Sequence, residues 1–346
     1  MEKKEKRGFL QTIGWIFWNP QQRRLRLLLR LAGFLLVFTI FSIMLGIVQA
    51  FVMNALGSST GPEALLSAGG ANGLQLIGPL FMTVITLGAM WFSAWALDRR
   101  RFRDFGFGFN RNWWRDFGFG LFLGAGIMLV IFLVEWGFGW IEVTPAWNSV
   151  ILSEGLWPQL GGGLLLFLCV GIYEEAISRG YLLRNIAEGL NAKWWRPEVA
   201  AALSVLLTSV AFGFAHASNP NATVLSSILI SIAGVMLAAG FVLTGELAIP
   251  VGIHITWNFF QGYVFGFPVS GMTTGRSIFS ITQGGPDIWT GGVFGPEAGM
   301  IGLLAMLALI LAIWVYARSH YPEGEYPSRL VKPTLRWVSR EKNEDT

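Results

Sequence analysis

LGGGLLLFLCVGIYEEAISRGYLL, residues 160–183, is the stretch on which the fold turns. It is long enough to cross a bilayer core as a helix, which takes about 20 residues. Yet it holds Glu174, Glu175 and Arg179 in its second half. Outward from it lie seven more apolar runs of comparable length. Leu31–Leu56, Leu74–Leu97 and Phe117–Ile141 precede it, and Val199–His216, Val224–Leu243, Leu247–Phe267 and Gly299–Ala317 follow. The 346-residue chain is 53% hydrophobic and 13% charged. A soluble protein carries about 25% charged residues, so a cytosolic globular enzyme is excluded. The expected class is all-α: a polytopic membrane protein of about eight transmembrane helices with an intramembrane polar cavity.

The position of the basic residues explains the net charge of +4. Eight Lys and Arg precede the first run, six lie between the second and third, four span Arg179–Arg196, six follow the last, and only Arg276 falls elsewhere. With both termini cytosolic, eight spans put all but Arg276 on one side, as the positive-inside rule requires. No basic face with interleaved aromatics is left for nucleic acid. The expected location is integral to a membrane, with the lipid bilayer as partner.

Residues 1–30 read as a cytosolic basic leader. There Phe9, Leu10, Ile13, Trp15, Ile16, Phe17 and Trp18 are spaced either for a short interfacial helix or for a continuation into the first span. Residues 31–318 read as one membrane domain with a motif-bearing core at 160–267, and 319–346 as a poorly ordered polar tail. Pro268–Ala298, rich in Gly, Ser and Thr, reads as a non-cytosolic loop. Trp91, Trp113, Trp114, Trp140, Trp157, Trp194 and Trp195 fall near span ends, where an aromatic belt sits. Cys169, the only cysteine, excludes an intrachain disulfide and reads as a small buried hydrophobe. Glu135, near a span end, and His320, in the tail, read as solvated.

Ionisable residues within spans are costly, and each is a functional candidate. Glu175 and Arg179, four apart, share a helical face and can pair. Glu174 is rotated by about 100° and is free to point elsewhere. The alternative is a helix that ends at Tyr173 with all three charges solvated. His216 closes the fifth run. His254, inside the seventh, has Asn258 four residues on, so imidazole and carboxamide share a face. Phe212 is on the His216 face, where packing is its simplest role. At about 1.5 Å per residue, Glu174, His216 and His254 lie roughly 22, 25 and 12 Å deep, close enough to meet if the helices tilt.

Two histidines, a free carboxylate and a carboxamide suit water activation for hydrolysis. Glu174 would be the general base with His216 as its partner, and His254 and Asn258 would donate to an oxyanion. Glu174, His216 and His254 would equally make an open site for a divalent metal such as Zn²⁺. The sequence lacks H-E-x-x-H, G-x-S-G and G-x-G-D. Its E-E-x-x-x-R at Glu174–Arg179, F-x-x-x-H at Phe212–His216 and H-x-x-x-N at His254–Asn258 resemble, in order, the three motifs of the CAAX protease and bacteriocin-processing (CPBP) family of intramembrane endopeptidases. Trp289–Glu297 also looks like a loop of bacterial members. The resemblance implies water activation by Glu174 and His216, an oxyanion site at His254 and Asn258, and support from Glu175 and Arg179. The family is described both as metalloproteases and as metal-independent glutamate proteases. A non-catalytic immunity or regulatory protein that binds a peptide or lipid in the same cavity is the competing reading.

Overall fold

The computed structural model describes residues 17–55, 76–144, 156–192, 194–275, 277–321 and 326–336. Most of the leader, with Phe9, Leu10, Ile13, Trp15 and Ile16, lies outside them. The described residues are 74% helical. Helices α1 (Leu27–Ala55), α2 (Ile77–Ser93, extended by a π-helical turn to Asp98) and α3 (Arg111–Gly137) come first. Then α4 (Leu156–Glu175) runs on through a π-helical stretch, Ala176–Leu183, into Arg184–Leu190. Next are α5 (Pro197–Ala215), α6 (Val224–Thr244), α7 (Ala248–Phe259, extended by a π-helical turn to Val264) and α8 (Met300–His320).

The ends of these helices follow local chemistry. The Asn110 side chain accepts the Trp113 N–H at 2.9 Å to start α3. Thr223 and Ser226 cap α6 reciprocally. Gly245, at φ 78°, stops it in a left-handed conformation open to glycine.

All eight apolar runs form helices. Among the described residues, seven helices are long and apolar enough to span a membrane, which makes this an integral membrane protein. The exception is α7, whose short helix is buried from Ala248 to Trp257 between α3, α4 and α6. Glycines let it in. A Cβ on Gly120 would lie 2.5 Å from the Ile249 carbonyl, one on Gly124 2.6 Å from that of Ile253, and one on Gly252 2.7 Å from that of Phe117. Gly120-x-x-x-Gly124 is thus a small-residue seam that brings two backbones together where no hydrophobic drive exists between helices. Thr256 Oγ1 bridges the seam, donating to the Leu121 carbonyl at 2.9 Å.

The basic residues gather at one end of the bundle. Arg24, in a two-residue strand β2 (Arg24–Leu25) paired with β1 (Trp18–Asn19), reaches Glu188 at 2.9 Å. Arg100 reaches the same carboxylate at 2.6 Å, and Arg30 meets Asp98 at 2.7 Å. The opposite end carries β3 (Ile141–Thr144) paired antiparallel with β4 (Ser280–Gln283), together with residues 268–275 and 277–298.

Three expectations are corrected. Glu135 is fully buried, not solvated, because β4 folds over the end of α3 and Gln283 Nε2 donates to its carboxylate at 3.1 Å. Trp113 is buried rather than interfacial, its indole N–H bonded to the Gly106 carbonyl. The tail is not loose from Arg318 on. Helix α8 continues to His320, Tyr321 donates to Asp116, and Leu330 and Val331 are buried against the bundle. Cys169 is buried and His320 exposed, as expected.

Gly124→Val should lower stability in detergent by about 1–3 kcal/mol, the cost of overpacking a close contact. Thermal unfolding of the purified protein measures it. Unchanged stability would mean that the seam does not hold α7 in place.

Candidate active site

Helices α4, α5, α6 and α7 surround a cavity of about 1110 Å³, with the segment 269–275 at its far end. Glu174, His216, His254 and Asn258 all line it. Glu174 and Glu175 differ as the helical rotation implies. The Glu175 side chain is 0% exposed and that of Glu174 20%, facing the cavity. The helix does not stop at Tyr173. It continues through the two acids and changes to π-helical geometry at Ala176, a local widening common at functional sites.

The buried carboxylate is fully engaged on one oxygen. Arg179 donates from Nη1 to Glu175 Oε1 at 2.7 Å, and His254 Nδ1 donates to the same oxygen at 2.8 Å. Arg179 is completed by the Gly234 carbonyl of α6 at 3.0 Å and by the face of Phe212, 4.5 Å from its guanidinium carbon. Phe212 therefore does more than pack: it lies under a buried cation. Its ring also meets those of His216, at 4.7 Å, and His254, at 6.3 Å.

With Nδ1 committed to Glu175, His254 turns Nε2 toward Glu174 Oε2, 3.8 Å away. That is too long for a direct hydrogen bond, and Glu174 Oε2 has no partner. His216 is anchored by its own helix, its Nδ1 bonded to the Phe212 carbonyl at 2.8 Å, which fixes the ring and leaves Nε2 as an acceptor. The structure thus joins Glu174, Glu175, Arg179 and His254 in one cluster. It puts His216 and Asn258 on the wall of the same cavity, with no ion pair between His216 and either acid among the described residues.

This bears on a metal. Among the described residues, no three of His, Cys, Asp and Glu form a group able to hold an ion. Glu174, His216 and His254, as placed, do not fit as a ligand set.

Sequence reasoning missed Glu297 as a component of the cavity. It is buried in the loop before α8 and also lines the space. Its Oε1 accepts the Ser270 backbone N–H and lies 3.3 Å from the Ser270 hydroxyl, and its Oε2 accepts from Gln261. Burial pushes its carboxyl up to about 7, against the pull of these bonds. A carboxylate near neutrality could serve as a base, but both oxygens of Glu297 are occupied, whereas Glu174 has a free one. Glu297 fastens the loop. The only sequence signal was its place in Trp289–Glu297, which contains no other acid.

Residues 156–260 match the family described as type II CAAX prenyl endopeptidase Rce1-like. Over that segment the chain is similar to that family, in agreement with the CPBP resemblance of its three motifs. The match covers less than half of the chain but takes in α4 to α7 and every motif residue of the cavity. It supports a CAAX-type intramembrane endopeptidase in general, a protease acting on membrane-associated substrates within the bilayer. No curated protein and no solved structure matches the chain.

Glu175→Gln should destabilise the protein by about 3–5 kcal/mol, because it leaves Arg179 buried without its counter-charge. Glu174→Gln, at a partly exposed position 3.8 Å from His254, should unfold close to wild type. Equal losses in a thermal or denaturant series would refute the division of roles between the two acids.

Proposed function

We propose that this protein is an intramembrane endopeptidase that hydrolyses membrane-associated protein or peptide chains with a water molecule activated by Glu174. The observation that carries the reading is the partly exposed Glu174 carboxyl group on the cavity wall, beside a histidine whose other nitrogen is tied to a second, fully buried carboxylate paired with Arg179. Glu174 takes a proton from water as its oxygen bonds to the scissile carbonyl carbon. His216 Nε2 accepts the water's other hydrogen and orients it.

The developing oxyanion is met by His254 Nε2–H and the Asn258 carboxamide, one helical turn apart on α7. Two carboxylates and one guanidinium leave the cluster one positive charge short of neutrality, and a doubly protonated His254 supplies it. Glu175 and Arg179 hold that imidazole in place. When the C–N bond breaks, Glu174 passes its proton to the leaving amine, so the base is regenerated and the acyl product leaves as a carboxylic acid.

The misfit of the metal ligand set favours this metal-independent route over the zinc alternative. The topology proposed with it has both termini cytosolic in a bacterial plasma membrane. The basic end of the bundle then faces the cytosol, and the end capped by β3, β4 and residues 268–298 faces outward.

Glu174→Gln should abolish cleavage with the fold intact, whereas His254→Ala should lower turnover by about 10²–10³ with little change in substrate affinity. Proteomics of membrane-associated peptides in cells carrying wild type or Glu174→Gln supplies the substrates on which to measure both. Identical peptide profiles would refute the protease reading in favour of a non-catalytic binding protein.

Metal dependence has a separate test. Purified active protein should contain no stoichiometric metal and should resist prolonged chelation. Zinc lost in parallel with activity in His216→Ala and His254→Ala would overturn the metal-independent scheme.

A further inference from the structure

Among the described residues, the exposed part of the cavity lining lies at one end. Its exposed lining residues are Pro158 and Gly161 at the start of α4, Ala211 and Ala215 in the last part of α5, and Met272, Thr273 and Gly275 in the loop. Every one of them lies in the half of the bundle away from the basic end. Toward the basic end, the π-helical stretch of α4 packs against α5; of the lining there, Thr208 and Phe212 are buried and Ile177, Ser178 and Leu182 half-buried.

The mouth has a built roof. Residues 269–272 form a tight turn, with Val269 bridged to Met272 and with Ser270 and Gly271 at φ 48° and 84°. Ser270 holds a left-handed conformation that is strained for a non-glycine residue. It is kept there by Glu297 and by Asn219 Nδ2, which donates to its carbonyl at 3.1 Å. Asn221 binds the Gly271 carbonyl at 3.2 Å, and Gln159 Nε2 binds that of Thr274 at 3.0 Å. The roof therefore spans from α4 to the α5–α6 turn, and the opening beneath it is lateral. Glycines 161 and 162 on one side and alanines 211 and 215 on the other present no bulky side chain to a passing backbone.

We infer that the site is loaded from the non-cytosolic side: an extended segment of a membrane-tethered polypeptide, lying in or just outside the outer leaflet, enters between α4 and α5 beneath the 269–275 turn. This rests on the protease reading and on the topology proposed above. It places the scissile bonds of the substrates on the outer side of their anchors. It excludes chains presented from the cytosol.

Two measurements decide it. In a Cys169→Ala background, Thr273→Cys should react with a bulky membrane-impermeant maleimide in intact cells, and the labelled protein should lose the cleavage that the same unlabelled variant shows. Reaction in inverted vesicles alone, or complete labelling from outside with cleavage undiminished, would overturn the inference. Independently, the cuts that disappear in Glu174→Gln cells should map to the non-cytosolic flank of their anchors. Cytosolic cuts would overturn it as well. If wild type cleaves nothing while Thr273→Cys labels from outside, the protease reading fails and the loading inference falls with it, but the outward mouth stands.

Discussion

A carboxylate held without water must be neutralised by its neighbours, and Glu175 imposes that requirement on the whole centre of this molecule. Its charge brings Arg179 back from the next turn of α4. Arg179 in turn draws in the Gly234 carbonyl of α6 and the ring of Phe212 on α5, and the carboxylate itself takes the imidazole of His254 on α7. Four helices are thus tied by one buried ion cluster. Removing one partner of such a cluster is far more damaging than any surface substitution, because the remaining charge stays buried. The position of Glu174 follows from the same arrangement, since the residue one step away on the helix is turned toward the cavity and left with an oxygen to spare.

Much of this was legible in the chain. The spacing of Glu175 and Arg179 gave the pair, the 100° step between the two acids gave their different surroundings, and the interval from His254 to Asn258 gave the shared face. What spacing could not supply was the partnership across helices. His254 belongs to Glu175 on one nitrogen and faces Glu174 on the other, while His216 is anchored to its own backbone. Helical periodicity carries no information about which helix lies opposite. The depth arithmetic put Glu174 and His254 about 10 Å apart along the normal. The structure brings His254 Nε2 to 3.8 Å from Glu174 Oε2.

The errors have a common physical cause. Glu135, Trp113 and the residues after His320 were assigned to solvent or interface because they stand at the ends of apolar runs. In each case a loop or a neighbouring helix end folds over the span terminus and supplies a hydrogen-bond partner: Gln283, the Gly106 carbonyl and Asp116 respectively. Glu297 was passed over for the related reason that a loop rich in glycine reads as surface. Its role in holding a strained turn is visible only once the fold brings Ser270 and Gln261 to it.

The glycine seam between α3 and α7 also governs when the centre comes into being. Helix α7 has no face of its own for lipid, so it is stable only in the slot that α3, α4 and α6 have already formed. During synthesis the chain emerges with Glu174, Glu175 and Arg179 long before His254 exists, and for that interval the cluster carries an excess negative charge. His254 and Asn258 stand nearly three-quarters of the way along the chain, so the cavity lacks both until that much has been synthesised, and its buried ion cluster is completed by a helix that cannot stand alone in lipid.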